Sequence, residues 1–373
     1  MEGAPDAAVS DWLEPPEPDE VEVTLFGPGK GECVLIHVGE AEWIVVDSCI
    51  DDTGRSAPLN YLGSLGVGVE QIRLIVASHW HDDHVGGLAG LVDSATAARL
   101  VCSAALEPDE FLHLVSAADL RPMVKATSGV HEFRRVLDCL SEREVYPVYA
   151  SADRVLYRRP ISIGSSHCEV ISLSPSDASS HDALQGLRKL LEQQDATQRT
   201  VVPRPRRNPA AVVLWISVGI VHVLLGSDLE VDSNPAKGWT AVLDAISRPT
   251  ERASVFKVAH HGSVNGHDPR VWTDMLEADP YCVLTPYLSG ATPIPRPTDM
   301  DRLVSLSPNI WITRRPGTPS VRRDSRVDRM AKEVTRWIRA SEPQNAGVVR
   351  LRRRSDGTDD WRVHSSGSAA RLA

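Results

Sequence analysis

The sequence predicts an α/β fold in one elaborated domain, and three observations carry the prediction. Apolar runs of strand length, rich in β-branched residues, recur from residue 21 onward, with segments of helical spacing between them. The first of these, at 21–26, 33–38 and 43–46, begin with a Gly-Pro-Gly-Lys-Gly turn between the first two, an antiparallel start. A strongly apolar run at 72–77 then stops at Ser78-His79-Trp80-His81-Asp82-Asp83-His84-Val85-Gly86-Gly87, which packs three of the thirteen histidines into six positions. At 373 residues the chain is long enough to bury a large core.

Taken in order, residues 1–20 form an acidic tail in which Pro5, Pro15, Pro16 and Pro18 favour extended backbone. A glycine-spaced helix at 58–65 leads to the strand at 72–77. Gly86 and Gly87 then let the chain pass close to the histidine loop before a short helix at 88–94. A strand at 100–104, a helix at 108–114 and several alternating strands within 145–172 follow. His113 and His131 read as surface or core-edge histidines. At about 178–207 lies an insertion. Leu184, Leu187, Leu190 and Leu191 give it a helical stripe, and Arg199, Arg204, Arg206 and Arg207 punctuate a loop containing Pro203 and Pro205. The apolar run 210–226 is broken by Ser217 and His222 and reads as two strands joined at a turn, so nothing spans a membrane. Further strands are expected at 254–258, 281–286 and 310–314, and a helix at 299–306. Val327, Met330, Ala331, Val334, Trp337 and Ile338 mark an amphipathic helix. The main body is thus 21–340, and 341–373 reads as a C-terminal β-hairpin extension at 347–353 and 360–363, with Arg352, Arg353 and Arg354 balanced by Asp356, Asp359 and Asp360.

Acidic residues outnumber basic ones, 50 to 40, and the formal charge of -10 excludes a passive polyanion binder, so any nucleic-acid contact must be local. Six scattered cysteines without a Cys-x-x-Cys pair, and no secretory apolar segment before the first strand, point to a reduced, cytoplasmic setting.

Imidazole and carboxylate are the ligands that borderline and hard divalent ions prefer, and His79, His81, Asp83 and His84 place four of them in one loop. This motif resembles that of the metallo-β-lactamase-fold hydrolases, and the resemblance extends over residues 20–290. It implies a metallo-β-lactamase-like four-layer αββα sandwich with one or two metal ions at the loop edge of its paired sheets. It also implies that His79 and His81 hold the first ion, and Asp83 and His84 the second. Asp47, just past a buried strand, corresponds to a family aspartate that orients the ligands by hydrogen bonding without binding metal.

Downstream, Asn208-Pro209-Ala210-Ala211 and the terminal Gly226-Ser227-Asp228 resemble the branch that contains competence DNA-uptake nucleases and phosphorylcholine esterases, with Ala211 where that pattern has serine. Asp228 would bridge two ions, as a carboxylate does by giving one oxygen to each. Many members carry histidine where Asn208 stands, so His181, Asn208 itself or water is left to complete the first ion's ligands. His260-His261-Gly262-Ser263 is another family match. One histidine closes the second metal and the other faces the scissile group. A ligand followed directly by glycine favours His261, and a ligand one residue removed favours His260. Glu230 belongs to the same loop as Asp228 but is no family ligand.

The expected chemistry is hydrolysis by a metal-bound hydroxide, with Asp83, Asn208 and His260 in the catalytic set. Zinc is the expected metal, one or two ions, and manganese the alternative. Arg204, Arg206 and Arg207, adjoining Asn208, suit phosphate oxygens. The substrate expectation is therefore a phosphodiester or nucleic acid. The alternatives are carboxylic esters, lactones or amides, and a non-catalytic metal-binding scaffold. No protein partner is identifiable from the sequence.

Overall fold

The computed structural model describes residues 14–27, 31–51, 54–106, 128–160, 167–197, 208, 210–288, 293–316 and 346–372. The chain opens with β1 (Glu20–Gly27), β2 (Cys33–Val38) and β3 (Trp43–Val46), paired antiparallel as their close spacing requires. Helices then alternate with strands: α1 (Ala57–Ser64), β4 (Ile72–Ala77), α2 (Leu88–Ser94), β5 (Arg99–Ser103), α3 (Ser128–Glu142) and β6 (Val148–Ala150). The second half begins with β7 (Arg154–Pro160), β8 (His167–Ser172) and the insertion helix α4 (Asp177–Thr197). It continues through β9 (Leu214–Val218), β10 (Val221–Leu225), α5 (Gly238–Asp244), β11 (Ala253–Lys257), β12 (Leu276–Leu284), α6 (Pro297–Leu306) and β13 (Ile310–Ile312). It ends in β14 (Gly347–Arg354), β15 (Arg362–Ser366) and β16 (Ala370–Arg371).

These strands form two 8-stranded sheets, ordered β15-β14-β1-β2-β3-β4-β5-β6 and β16-β13-β12-β11-β10-β9-β8-β7. Strand periodicity sorts side chains between three apolar layers. Ile44, Val46, Leu74 and Val76 face Ile216, Val223, Leu225 and Val255 across the sheets. The alternate residues Trp43, Val45 and Ile75 pack outward against Leu62 of α1, Leu88 and Leu91 of α2, and Phe133 and Val136 of α3. On the opposite outer face Trp215, Leu224 and Phe256 meet Trp239 and Val242 of α5 and Leu303 of α6. The result is the four-layer αββα sandwich expected from the sequence. Among the described residues no helix is long and apolar enough to cross a membrane.

Four neighbouring strands of each sheet run parallel: β3, β4, β5 and β6 at one end of the first, and β10, β11, β12 and β13 in the other. Loops leaving the carboxyl ends of parallel strands emerge at one edge, where open α/β sheets gather their ligands. Asp47, the histidine loop, Asp228 and His261 each follow one of these strand ends within a few residues.

Two helices were not expected from the sequence. In α3 the buried residues Val130, Phe133, Val136 and Leu140 keep helical spacing, and the sequence reading had singled out only His131 there. Seven-residue α5 is too short for its periodicity to stand out. The C-terminal hairpin is no appendage: β14 pairs with β1 along eight residues and β16 with β13, so residues 347–371 complete both sheets. Arg352 is buried against Glu22 of β1 rather than balanced by the nearby aspartates. The expected helices at 108–114 and 327–338 lie outside the described residues.

Gly27 and Gly347 face each other in the β1–β14 ladder and both press on Thr313, just past β13 in the other sheet. A Cβ on Gly347 would stand 1.7 Å from the Thr313 carbonyl oxygen, a backbone atom that no rotamer change can move. Gly347→Ala should therefore destabilise the fold by about 1–3 kcal/mol or more, as overpacking does. Gly63→Ala, in α1 with nothing within 4 Å, should stabilise it by ~0.5–1 kcal/mol. Denaturant melts of the two variants check the contrast.

Candidate metal centre

Asp47 is the first fixed point. It leaves β3 with φ 62°, buried, and its backbone N–H donates to the Val76 carbonyl at 2.7 Å, tying the end of β3 to β4. Its Oδ1 accepts from the Ser78 N–H at 2.7 Å, and its Oδ2 accepts from Ser78 Oγ at 2.8 Å and from His84 Nδ1 at 2.7 Å. Ser78 Oγ lies 3.0 Å from His79 Nδ1. A carboxylate that accepts at His84 fixes the proton on Nδ1. A hydroxyl that has given its proton to Asp47 accepts from His79 Nδ1 in turn. His261 Nδ1 donates to the Thr285 carbonyl at 3.0 Å. All three rings are thereby oriented with Nε2 as the atom left for a ligand.

These Nε2 atoms converge on Asp228. His79 Nε2 is 3.8 Å from Oδ2, His84 Nε2 is 3.5 Å from Oδ1, and His261 Nε2 is 3.5 Å from Oδ2. Asp83 Oδ2 joins them, 3.3 Å from His261 Nε2 and 3.8 Å from His84 Nε2. Most of these gaps are too long for hydrogen bonds. Three of them match the separation of about 3.3–3.5 Å between two donors that bind one zinc tetrahedrally at ~2.0–2.1 Å each, and the two at 3.8 Å are slightly wider. His79 Nε2, His84 Nε2 and Asp228 Oδ1 are buried with no hydrogen-bond partner, a costly state for polar atoms in a protein interior. Two groups of converging donor atoms result, His79-His84-Asp228 and Asp83-His84-His261, and a divalent cation fits both.

Among the other expected site residues, Asn208 is buried and its Nδ2 donates to Asp228 Oδ2 at 3.2 Å. His81 lies beside the cluster, its ring centroid 4.7 Å from that of His79, but its donors are not in the converging groups. His181 is exposed on α4, its Nε2 3.0 Å from Gln185 Nε2, and is likewise not in those groups. His260 and His261 both adopt left-handed backbone, with φ 47° and 53°, and this kink sends the consecutive rings apart. His261 joins the donors, whereas His260 Nδ1 stands 3.7 Å from Glu230 Oε1. Tyr287 lies against His261, with ring centroids 5.6 Å apart. Arg204, Arg206 and Arg207 lie outside the described residues.

Glu32 and Lys257 were not anticipated. Lys257 ends β11 almost fully buried, forms an ion pair with Glu32 and donates to the Ser227 carbonyl at 3.0 Å. Glu32 followed a glycine turn and Lys257 ended an apolar strand. The only sequence signal was a charge where a strand should bury apolar residues.

The family model described as the metallo-beta-lactamase superfamily matches residues 26–266. The chain belongs to that superfamily. Members of the metallo-beta-lactamase superfamily are in general metal-dependent hydrolases and typically bind divalent ions. No curated protein matches the sequence. Similar solved structures include the metallo-beta-lactamase fold protein YhfI from Bacillus subtilis, 12% identical, TM-score 0.33, covering 64% of this chain and 70% of that one. The Rm3 metallo-beta-lactamase is 16% identical at TM-score 0.29, covering 66% and 74%. MEM-A1, a subclass B3 metallo-beta-lactamase isolated from a soil metagenome library, is 16% identical at TM-score 0.31, covering 70% and 86%. At such low TM-scores these likenesses assign no activity to this chain.

Electrostatics agree with a cation site. Burial, with His84 and His81 alongside, holds the His79 imidazole well below its ordinary pKa, so the ring is neutral and its Nε2 can accept a cation. Burial opposes charge on His84 and His261, but the surrounding carboxylates, led by Asp228, outweigh it and raise both, His261 from 6.5 to about 10. Burial likewise opposes charge on Asp228 and Asp83, yet His261 and His84 hold both carboxyls below the usual range. A metal must displace the protons that these carboxylates keep on the two imidazoles. Between 6.5 and about 10 a folded His261 keeps a proton that a free imidazole has lost, so apparent zinc affinity should rise with pH through that window. Calorimetric titration in mildly alkaline buffers of different ionisation enthalpy should register proton release. Uptake without it would contradict the protonated state described here.

Proposed function

We propose that the chain is a two-metal hydrolase of phosphodiesters, of the kind the competence-nuclease and phosphorylcholine-esterase resemblance suggests. The observation that carries the reading is the convergence of His79, His84, His261 and Asp83 on the buried carboxylate of Asp228, whose Oδ1 has no protein hydrogen bond. In this reading His79 and His81 serve the first ion, and Asp83, His84 and His261 the second. Asp228 is shared between them and Asn208 steadies it through the bond to Oδ2. Zinc suits these donors, and manganese is admitted by the carboxylate share. When bound, such a pair supplies an activated water near neutral pH and stabilises charge on the oxygens of the bond under attack.

The protein's own groups do the remainder. Asp47 and Thr285 keep the His84 and His261 imidazoles in the tautomer that presents Nε2, and Ser78 does so for His79. His260, next to the cluster but turned out of the donor groups, is the proton donor for the leaving oxygen, with the Glu230 carboxylate 3.7 Å from its Nδ1 to orient it. Arg204, Arg206 and Arg207 immediately precede Asn208, which is bonded to Asp228. That adjacency supports a role in drawing an anionic substrate to the metals.

The two histidines separate by experiment. His261→Ala should lower metal stoichiometry measured by elemental analysis. His260→Ala should keep the metal and reduce kcat by roughly 10²–10⁴-fold, the usual range for a general acid. Loss of metal in His260→Ala with full retention in His261→Ala would exchange the roles.

Substrate class is tested with zinc- and manganese-loaded protein on a generic phosphodiester, single-stranded and duplex DNA, RNA, a lactone and a β-lactam. Glutamine at all three of Arg204, Arg206 and Arg207 should raise KM for polyanionic phosphodiesters while metal content stays unchanged. Wild-type cleavage of nucleic acid should fall steeply with salt, as when basic side chains displace counterions. A triple variant equal to wild type on phosphodiesters, with faster cleavage of an uncharged ester by both proteins, would replace this reading with a carboxylic-ester hydrolase.

A further inference from the structure

Beneath the donor cluster lies a third group of converging atoms, Glu32, Asp47 and His84, that by composition alone resembles another cation site. Its cation is already present and covalently attached, since the Lys257 ammonium is paired with Glu32. Both side chains are almost wholly buried, at 2% and 1% exposure, and they come from different sheets: Glu32 directly precedes β2 and Lys257 ends β11. An isolated charge so deep would cost several kcal/mol, so each ion is tolerable only because the other is there.

The contacts of the pair extend to four proposed ligands. The Glu32 N–H donates to the Asp83 carbonyl at 2.8 Å, which holds the backbone of one carboxylate ligand. Lys257 Nζ donates to the Ser227 carbonyl, which fixes the residue before Asp228, itself left-handed at φ 45°. The Glu32 carboxylate sits 3.7 Å from His84 Nδ1 through Oε1 and 3.7 Å from His261 Nδ1 through Oε2. It is thus equidistant from the two imidazoles whose Nδ1 protons belong to Asp47 and Thr285. With Lys257 neutralising it, Glu32 does not compete for those protons. Without Lys257, it becomes a buried anion beside two N–H donors and pulls both rings off their bonds.

We propose that Lys257 and Glu32 are a positioning pair: an ion pair between the two sheets that sets the spacing of Asp83 and Asp228, and with it the capacity to hold a second metal ion. The proposal rests on the reading of the Asp228 cluster as a divalent-metal centre. It differs from a purely structural role in what it predicts when both charges are removed. Buried ion pairs replaced together by uncharged groups of similar size often leave stability unchanged or improved. A structural pair would then be dispensable, whereas a positioning pair would not.

The test uses the full chain as wild type, as Lys257→Met combined with Glu32→Gln, and as Lys257→Gln combined with Glu32→Gln. Zinc binding is followed by competition with a chromogenic chelator, stoichiometry by elemental analysis, and metal-free stability by thermal melting. The first double variant should melt close to wild type yet bind its second zinc equivalent on the order of 10–100-fold more weakly, the loss typical when groups supporting a ligand are removed. A second uncharged pair, Lys257→Gln with Glu32→Gln, should show the same weakening and gives the reading if the first double variant does not fold. Wild-type affinity for both equivalents in either variant overturns the positioning role. Wild-type protein that takes up no zinc instead removes the metal centre itself, so the two failures are distinguishable.

Discussion

Everything at the loop edge depends on burying the carboxylate of Asp228 among groups that cannot neutralise it by hydrogen bonding alone. Asn208 satisfies part of Oδ2, Oδ1 has no partner, and a second carboxylate, Asp83, approaches the same imidazoles. Two anions sharing a desolvated pocket repel, and the field they create is strong enough to keep protons on His84 and His261 against the penalty of burial. Such a pocket is poised for cationic charge. Protons supply it in the absence of metal, and a pair of divalent ions would supply more of it with better geometry.

The sandwich supplies that pocket by geometry that precedes any chemistry. Parallel pairing of β3 with β4, and of β10 with β11, brings four loops to one edge without needing long connections there. The bends that follow are sharp. Asp47, Ser227, His260 and His261 all carry positive φ without being glycine, a conformation that costs on the order of 1–3 kcal/mol each and persists only where the surroundings impose it. At Asp47 the surroundings are two bonds from Ser78 and one from His84. At Ser227 they are the Lys257 ammonium and the His260 N–H, both donating to its carbonyl. Four of the nine non-glycine residues with positive φ among the described residues thus sit where the candidate ligands are aimed.

The difference between these bends and the strands behind them explains what the sequence makes legible. Strands declare themselves because both faces of each central strand are apolar, as in residues 72–77 and 210–226. The loop histidines declare themselves because four ligand-type residues within six positions have no ordinary structural use. Asp47 and Asp228 were readable only through family resemblance, since an aspartate after a strand is common. The separation of His260 from His261 was not readable at all. Two identical neighbours differ here only through consecutive left-handed residues, and that kink arises from contacts with Ser227 and Thr285, distant in sequence. Glu32 escaped for the same reason, because its partner is 225 positions away in the other sheet. The role of the C-terminal hairpin, too, lies in long-range pairing with β1, which local periodicity cannot report.

The departure at Asn208 bears on which ion the site favours. An imidazole there would add a nitrogen donor and leave Asp228 Oδ2 without its present hydrogen bond. The amide does the reverse: it gives a proton to Asp228 at 3.2 Å and draws charge from the oxygen that His79 and His261 face. That bond occupies one lone pair of Oδ2 and leaves Oδ1, which faces His84, as the oxygen with no protein hydrogen bond. The two groups of converging atoms are therefore unequal. The one with Asp83, His84 and His261 has both a second carboxylate and two imidazoles tied to carboxylate or carbonyl partners. The one with His79 shares His84, but its own ring is held only through a serine hydroxyl. Ligands with firmer support bind more tightly. On these grounds a divalent ion on the Asp83 side would be held more tightly than one on the His79 side, and the extra carboxylate there would suit the harder ion.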